Sequence, residues 1–217
     1  MNTEMKRYGR LTAGLILYAL GVIIMLKVNL GLSAWDVFNQ GVNRTFGISI
    51  GSASIIVGSI VISVGFYFNQ PIGLGTIIDI FLVGTFMDIF NLLLTDMSHF
   101  YFPAKIILFI IGLFICAYGC FMYIPQGLGC GPIDGLMVRL SKVLKCPIGV
   151  ISISLEAFAL VSGYFLGGTV GLGTVIATLL KGPFLQAIFK FKKVDIKSIH
   201  HRSIKDEFVL LYRFLRF

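Results

Sequence analysis

Gly73-Leu74-Gly75-Thr76 returns as Gly171-Leu172-Gly173-Thr174, 98 residues further along the chain. The same shift lays Gly14-Leu15 on Gly112-Leu113, Gly21 on Gly119, Leu30-Gly31 on Leu128-Gly129 and Asp36 on Asp134. Ile50-Gly51 meets Ile148-Gly149, Gly65 meets Gly163, and Gly84 with Phe86 meets Gly182 with Phe184. No gap is needed, and about a quarter of the positions from 14 to 90 are identical. Apolar segments match one another by chance at Leu and Ile. They do not match by chance at this many glycines, an aspartate and a four-residue string in one register, so the chain reads as an internal duplication.

Composition says where the duplicated unit lives. Of 217 residues, 57% are hydrophobic and only 13% charged, with 20 Phe and 25 Gly. A water-soluble domain carries about a quarter charged residues, and this chain has too few polar side chains to cover a water-facing surface. A bilayer core of about 30 Å asks for roughly 20 apolar residues per helix. Six stretches qualify, at residues 11–28, 48–68, 76–94, 104–124, 148–166 and 174–191. The expected fold is all-α, a single polytopic membrane domain. Repeat one covers about 11–94, repeat two about 104–191, and a basic tail runs from 192 to 217. The amino end has the basic start of a signal peptide in Lys6, Arg7 and Arg10, but no A-x-A-like site follows, so it stays as the first span.

The net charge of +8 does not point to nucleic acid, because the basic residues cluster by topology. Eight of the 18 Lys and Arg lie in residues 190–217. With the amino end inside, Lys6, Arg7, Arg10, Arg139, Lys142, Lys145 and the tail all face the cytoplasm, against Lys27, Arg44 and Lys105 outside. That asymmetry follows the positive-inside rule, and six spans then put both termini in the cytoplasm. Three spans per copy is an odd number, so the second copy enters the membrane from the opposite side. The halves are expected to be inverted repeats, an architecture that recurs in secondary transporters and also occurs in channels.

Two linkers, after spans one and four, have helical patterning. Ser33 is expected to cap a helix through Phe46, with Trp35, Phe38, Val42 and Phe46 on one face and Asp36, Gln40, Asn43 and Arg44 on the other. Pro132 suits the first turn of a second helix, whose Ile133, Leu136, Leu140 and Val143 lie opposite Asp134, Ser141 and Lys145. These read as amphipathic or re-entrant helices, either gates or interfacial anchors. Asp36, Asp134 and Trp35 are the gate candidates, although an aspartate in a first helical turn has a sufficient reason in the helix dipole. The repeated string supplies hinge or packing positions, Gly73, Gly75 and Thr76 with Gly171, Gly173 and Thr174. There Gly permits a tight turn and Thr caps the next helix. Paired helix amino ends could also attract an anion.

The spans themselves contain Asp79, Asp88, Glu156 and Lys181. A charge at mid-membrane costs about 2.5–3.5 kcal/mol even on the lenient insertion scale, so such groups face the bundle interior with a partner or a function. None is matched by a charge in the other half: Asp79 aligns with Ala177, Asp88 with Gln186, Glu156 with Gly58 and Lys181 with Val83. These four are the candidates for a polar cavity, with Lys181 expected to pair with Glu156 or Asp88. A buried structural ion pair is the plainer alternative. Cys116, Cys120, Cys130 and Cys146 form no metal or disulfide pattern. His99, His200 and His201 read as solvated. No metal site, cofactor or catalytic group is expected. The tail pattern Ile204, Phe208, Leu211 and Leu215 reads as a basic amphipathic helix on the inner leaflet.

The strings 31–37 (Gly-Leu-Ser-Ala-Trp-Asp-Val), 47–51 (Gly-Ile-Ser-Ile-Gly), 71–76 (Pro-Ile-Gly-Leu-Gly-Thr) and 127–135 (Gly-Leu-Gly-Cys-Gly-Pro-Ile-Asp-Gly) together resemble the bacterial YczE-like membrane proteins, a group related to YitT and YyaS. The resemblance covers most of residues 11–191. It implies a multi-spanning protein of the bacterial plasma membrane and raises the expectation of transport, and it carries no binding residues over to this chain. The expected function is therefore a secondary transporter or permease for a small polar or charged solute. A membrane-embedded accessory or regulatory protein, and a channel, are the alternatives. The lipid bilayer and a small solute are the expected partners, and a homodimer would be a way for six short spans to enclose a pathway.

Overall fold

The structure is a computed structural model and describes residues 2–129 and 131–194. It contains α1 (Asn2–Val28), α2 (Ala34–Phe46), α3 (Ile50–Tyr67), α4 (Leu74–Leu93), α5 (Phe102–Tyr123), α6 (Pro132–Leu144), α7 (Ile148–Phe165) and α8 (Leu172–Phe191). A single 3-10 turn, Ile124–Gln126, follows α5, and no strand occurs among the described residues. Six of the helices, all but α2 and α6, are long and apolar enough to cross a membrane. At 13 residues each, α2 and α6 are too short to do so. Five of the six span predictions match to within about two residues. The first helix begins nine residues earlier than expected, because hydropathy marks the hydrocarbon core and not the helix. Arg7 extends α1 by pairing with Glu4 one turn away at 3.1 Å, and it also donates to the Gln126 carbonyl.

α1 and α5 form the central crossing. A Cβ on Gly14 would stand 2.8 Å from the Gly119 carbonyl oxygen, and one on Gly21 would stand 2.5 Å from that of Gly112. The two contacts exchange under the 98-residue shift. Lipid offers no hydrophobic drive between helices, so close backbone packing through small residues has to supply the association. Leu15, Ile23, Phe109 and Leu113 are fully buried around this crossing. Large apolar side chains such as Phe66, Leu92, Phe165 and Leu179 point outward, as a lipid-facing surface requires.

The repeated string joins the halves at both ends of the bundle. Gly75 N–H donates to the Leu128 carbonyl at 2.8 Å, and Gly173 N–H donates to the Leu30 carbonyl at 2.7 Å. The receiving loops turn through Gly31 (φ 111°) and Gly129 (φ 142°), a backbone region that L side chains avoid. A Cβ on either glycine would also meet a threonine Oγ1, Thr174 at Gly31 and Thr76 at Gly129, each at 2.6 Å. α4 and α8 start two residues earlier than the sequence patterning suggests, so Gly73 and Gly171 occupy the caps and the threonines lie in the first turn. Thr174 Oγ1 still serves the helix end, accepting from Gly171 N–H at 3.3 Å and from Leu32 N–H at 3.2 Å.

Each short helix rests on the hairpin of the other half. Arg44 donates to the Gly167 carbonyl at 2.7 Å, Thr45 Oγ1 donates to the Leu166 carbonyl at 2.9 Å, and Gln40 accepts from Thr169 N–H at 2.6 Å. On α6, Arg139 donates to the Phe68 carbonyl. α2 is wedged between α7 and α3, so protein meets both of its faces. Asp36, Asn39 and Gln40 are buried, and Trp35, Phe38 and Val42 of the apolar stripe pack into a second hydrophobic cluster with Ala53, Val57 and Leu136, while Phe46 is exposed. The buried polar groups have partners, Thr169 N–H for Gln40 and Ser33 Oγ for Asp36. The expected tail helix, His200 and His201 lie outside the described residues, as does Cys130.

Candidate functional site: a cavity between the two halves

A cavity of about 270 Å³ lies among α2 to α8 and the middle of α1. Many of its walls come in pairs related by the 98-residue shift: Ser54 with Ser152, Val57 with Leu155, Gly58 with Glu156, Val83 with Lys181 and Met87 with Leu185. Asp36 and Asp134 form another such pair, one from each short helix. Helical periodicity places 54, 57, 58 and 61 on one face of α3, and 152, 155 and 156 on the matching face of α7.

The two hairpins bound the cavity differently. α3 packs along α4, whereas α7 stands away from α8. Glu156, on the parted flank, is exposed. Its counterpart Gly58 is buried against Ile80, with the nearest Ile80 carbon 3.0 Å from the position of a Cβ.

Of the four intramembrane charges expected to meet, three line this space: Asp79, Glu156 and Lys181. Asp88 does not. It ties α4 to the amino end of α3, accepting from Ser49 Oγ at 2.6 Å and from Gly51 N–H at 2.7 Å. Lys181 salt-bridges neither Asp88 nor Glu156. Its ammonium lies 5.9 Å from the centre of the Tyr18 ring and within electrostatic range of Asp36 and Asp134. Cation–π attraction of this kind, worth about 0.5–2 kcal/mol depending on desolvation, compensates part of the cost of placing the charge there. The repeat explains why the expected pairing fails. Glu156 lies on α7, which stands away from α8, the helix that carries Lys181.

The gate candidates from the linkers also reach the cavity. Asp36 is buried and accepts from Ser33 Oγ, and Trp35 lies beside it. Asp134, Asp79 and Tyr123 converge near Gly131. A Cβ there would stand 3.3 Å from Asp134 Oδ2, and 3.7 Å from both Asp79 Oδ2 and the Tyr123 hydroxyl. Trp35 Nε1 and Asn39 Oδ1 are buried polar atoms with no hydrogen-bond partner among the described residues. The hinge candidates Gly73, Gly75, Thr76, Gly171, Gly173 and Thr174 do not line the cavity; they hold its two ends together. Among the described residues no group of three His, Cys, Asp or Glu could hold a metal ion.

Tyr18, Asn39 and Tyr123 line the cavity with no expectation attached to them, and Cys120, which has no metal or disulfide pattern, lines it too. Neutral polar side chains in a span or linker raise no alarm on a hydropathy scale. A signal was present in their position: Cys120 lies one turn after Cys116 on the α5 face that packs against α1, where Cys116 Sγ contacts the Tyr18 carbonyl at 3.4 Å.

Residues 5–190 match the family of unknown function DUF6198. The chain is 31% identical over 176 residues to the uncharacterized membrane protein YczE of Bacillus subtilis, covering 80% of this chain and 81% of that protein. It is 30% identical over 180 residues to an uncharacterized protein of Haemophilus influenzae, covering 81% of this chain and 82% of that one. It is 25% identical over 193 residues to the uncharacterized protein YyaS of Bacillus subtilis, covering 88% and 96%. No solved structure matches. With six apolar helices of spanning length and a family match across nearly the whole helical bundle, this multi-pass membrane protein belongs to the family of unknown function DUF6198.

Proposed function

We propose that the protein is a small secondary transporter that moves a small polar or charged solute across the bacterial plasma membrane by alternating access, with no enzymatic step. The observation that carries this reading is the cavity. Its walls are drawn in pairs from the two copies, yet it is closed where α3 meets α4 and open where α7 leaves α8. Inverted-repeat transporters work by exchanging the conformations of their halves around a fixed central site. A cavity with repeat-paired walls and unequal flanks is what one state of such a cycle looks like. Its size, about 270 Å³, suits a small solute.

The inverted orientation of the copies is part of the proposal. Arg7 on the Gln126 carbonyl, Gly75 on Leu128 and Arg139 on Phe68 gather the start of α1, the 68–73 hairpin and α6 at one end. Lys27 with Met97, and α2 with the 166–169 turn, gather at the other. Lys6, Arg7, Arg10, Arg139, Lys142 and Lys145 belong to the first end, and Lys27 and Arg44 to the second. Positive-inside orientation makes the first end cytoplasmic.

The test is uptake into proteoliposomes of labelled amino acids, small organic cations and small organic anions, with and without proton or sodium gradients. Saturable uptake of one class supports the proposal. No uptake of any class by folded protein, with a partner that co-purifies, would replace it with the accessory role. Non-saturating current would replace it with a channel.

A further inference from the structure

The α3–α4 and α7–α8 hairpins share a plan and differ in state, and the difference can be assigned to a few atoms. In the closed hairpin, Gly51 lies against the Gly84 carbonyl so tightly that a Cβ at Gly51 would overlap it, and a Cβ on Gly84 would meet the Gly51 carbonyl at 2.7 Å. Asp88, one turn beyond Gly84, then grips the amino end of α3 through Ser49 Oγ and Gly51 N–H, at 2.6 and 2.7 Å. The Gly51 amide is one of the donors that a helix start leaves unpaired, so the carboxylate receives a charge-assisted bond as well as the helix dipole.

Shifted by 98 residues, the same positions are Gly149, Gly182 and Gln186, with Pro147 in place of Ser49. Gly149 and Gly182 have nothing within 4 Å of where a Cβ would lie. Gly182 precedes Pro183, whose ring crowds a side chain on the residue before it, so part of its smallness is local. No contact across the α7–α8 hairpin requires glycine at either position in this conformation, and a close approach in another conformation would.

We infer that the two hairpins are the two gates of one cycle, with Asp88 as the latch of the α3–α4 gate. In the second conformation Gly149 seats against Gly182 while α3 leaves α4. This inference rests on the alternating-access reading above and goes beyond it in naming the gates and their bias. The latches are chemically unequal. A carboxylate with two donors holds α3, whereas the counterpart of Asp88 is the neutral amide of Gln186, and of the two counterpart donors only the Gly149 N–H remains, Pro147 having no hydroxyl to give. The conformation with α3–α4 closed and α7–α8 parted is therefore the resting state without solute.

Cross-linking in proteoliposomes tests this independently of flux, in a background with Cys116, Cys120, Cys130 and Cys146 replaced by Ala. A disulfide needs Cα atoms within about 7 Å. The pair Gly58→Cys/Ile80→Cys, on packed faces of α3 and α4 and with the Asp88 latch intact, should cross-link rapidly under copper phenanthroline. Its counterpart under the 98-residue shift, Glu156→Cys/Thr178→Cys, leaves Gly149 and Gly182 free to seat and should form an intramolecular disulfide more slowly. Adding Asp88→Ala, or Gly51→Ala, which cannot seat beneath the Gly84 carbonyl, should raise that slow rate at least threefold. No intramolecular 156–178 product while the 58–80 pair closes overturns the inference, even if uptake is measured. A 156–178 rate indifferent to both Asp88→Ala and Gly51→Ala overturns the latch. Cross-linking as expected with no uptake of any solute leaves the gates standing and removes the transport reading.

Discussion

The amide of Gly75 donates to the carbonyl of Leu128 across 2.8 Å, tying the hairpin of the first half to the glycine-rich loop of the second. Its counterpart, Gly173 on Leu30 at 2.7 Å, closes the opposite end of the bundle. The repeat therefore does more than duplicate three helices. Each copy contributes a hairpin that the other copy's loop receives, so neither half has its own complete set of backbone hydrogen bonds. Three glycines of the string are kept small by this exchange: Gly75 approaches the Leu128 carbonyl, and Gly171 and Gly173 approach that of Leu30. Gly129 in the receiving loop is kept small in turn, since a Cβ there would stand 3.1 Å from the Gly73 Cα.

Thr174→Val should destabilise the fold by about 1–3 kcal/mol, the cost of leaving a buried donor unpaired. Its Oγ1 accepts from both Leu32 and Gly171, and valine keeps the shape without the acceptor. Thr174→Ser should recover most of the loss. Thermal unfolding in detergent, compared across the three proteins, measures the difference.

At the α1–α5 crossing, Gly21→Val should reduce the yield of folded protein sharply. A side chain there meets the Gly112 carbonyl and Cys116, and overpacking a tight site costs about 1–3 kcal/mol or more. Gly9→Ala, on the same helix with nothing within 4 Å, should be neutral or slightly stabilising. Size-exclusion profiles and yields of the two variants give the comparison.

The unequal flanks of the cavity predict unequal chemical access. Glu156→Cys should react with a small water-soluble maleimide at least about tenfold faster than Gly58→Cys, its partner under the 98-residue shift, because Glu156 is exposed and Gly58 is packed on Ile80. The unit of comparison is the labelling rate of each single-cysteine protein. Equal rates would mean that the cavity has no open side.

In the cavity itself, Lys181→Met should abolish solute uptake while leaving the protein folded. It removes the only ammonium among the lining residues, and the unbranched thioether still covers the Tyr18 ring. Glu156→Gln should lower uptake without loss of yield, because an exposed group on the open flank carries no packing. Initial uptake rates normalised to reconstituted protein decide both.

The loop after α4 offers a pH test outside the spans. The Ser98 amide and hydroxyl, donating at 2.9 and 2.8 Å, hold the Asp96 carboxyl below its ordinary range, with His99 adding to the effect from 3.5 Å. A lowered carboxyl contributes loop order that is present above the ordinary carboxylate range and is lost as pH falls through the lowered value. Ser98→Ala should move the Asp96 titration back upward, seen in carboxyl carbon-13 shifts of labelled protein.

Legibility in the sequence followed the kind of interaction. Span positions, the duplication and the start of α6 at Pro132 could be read, because hydropathy, identity at constant register and proline's fixed φ are local properties. The partners of Asp88 could not. Ser49 and Gly51 lie 39 and 37 residues away, on a helix whose face toward α4 depends on how the hairpin packs. The placement of α2 was hidden for a similar reason: an amphipathic pattern shows that two faces differ without saying that protein meets both. Asp36 and Gln40 are buried with Ser33 and Thr169 to bond them.

The sequence by itself determined that this chain is a six-span membrane bundle made from one unit used twice, since lipid admits only helices that satisfy their own backbone groups. Tertiary structure decided everything that distinguishes the two copies. It put Glu156 and Lys181 on a cavity, sent Asp88 to a helix end, and closed one hairpin while parting the other. Those outcomes depend on distances between helices, and in a bilayer such distances are set by backbone fit at glycines and by a few long-range hydrogen bonds, neither of which hydropathy records.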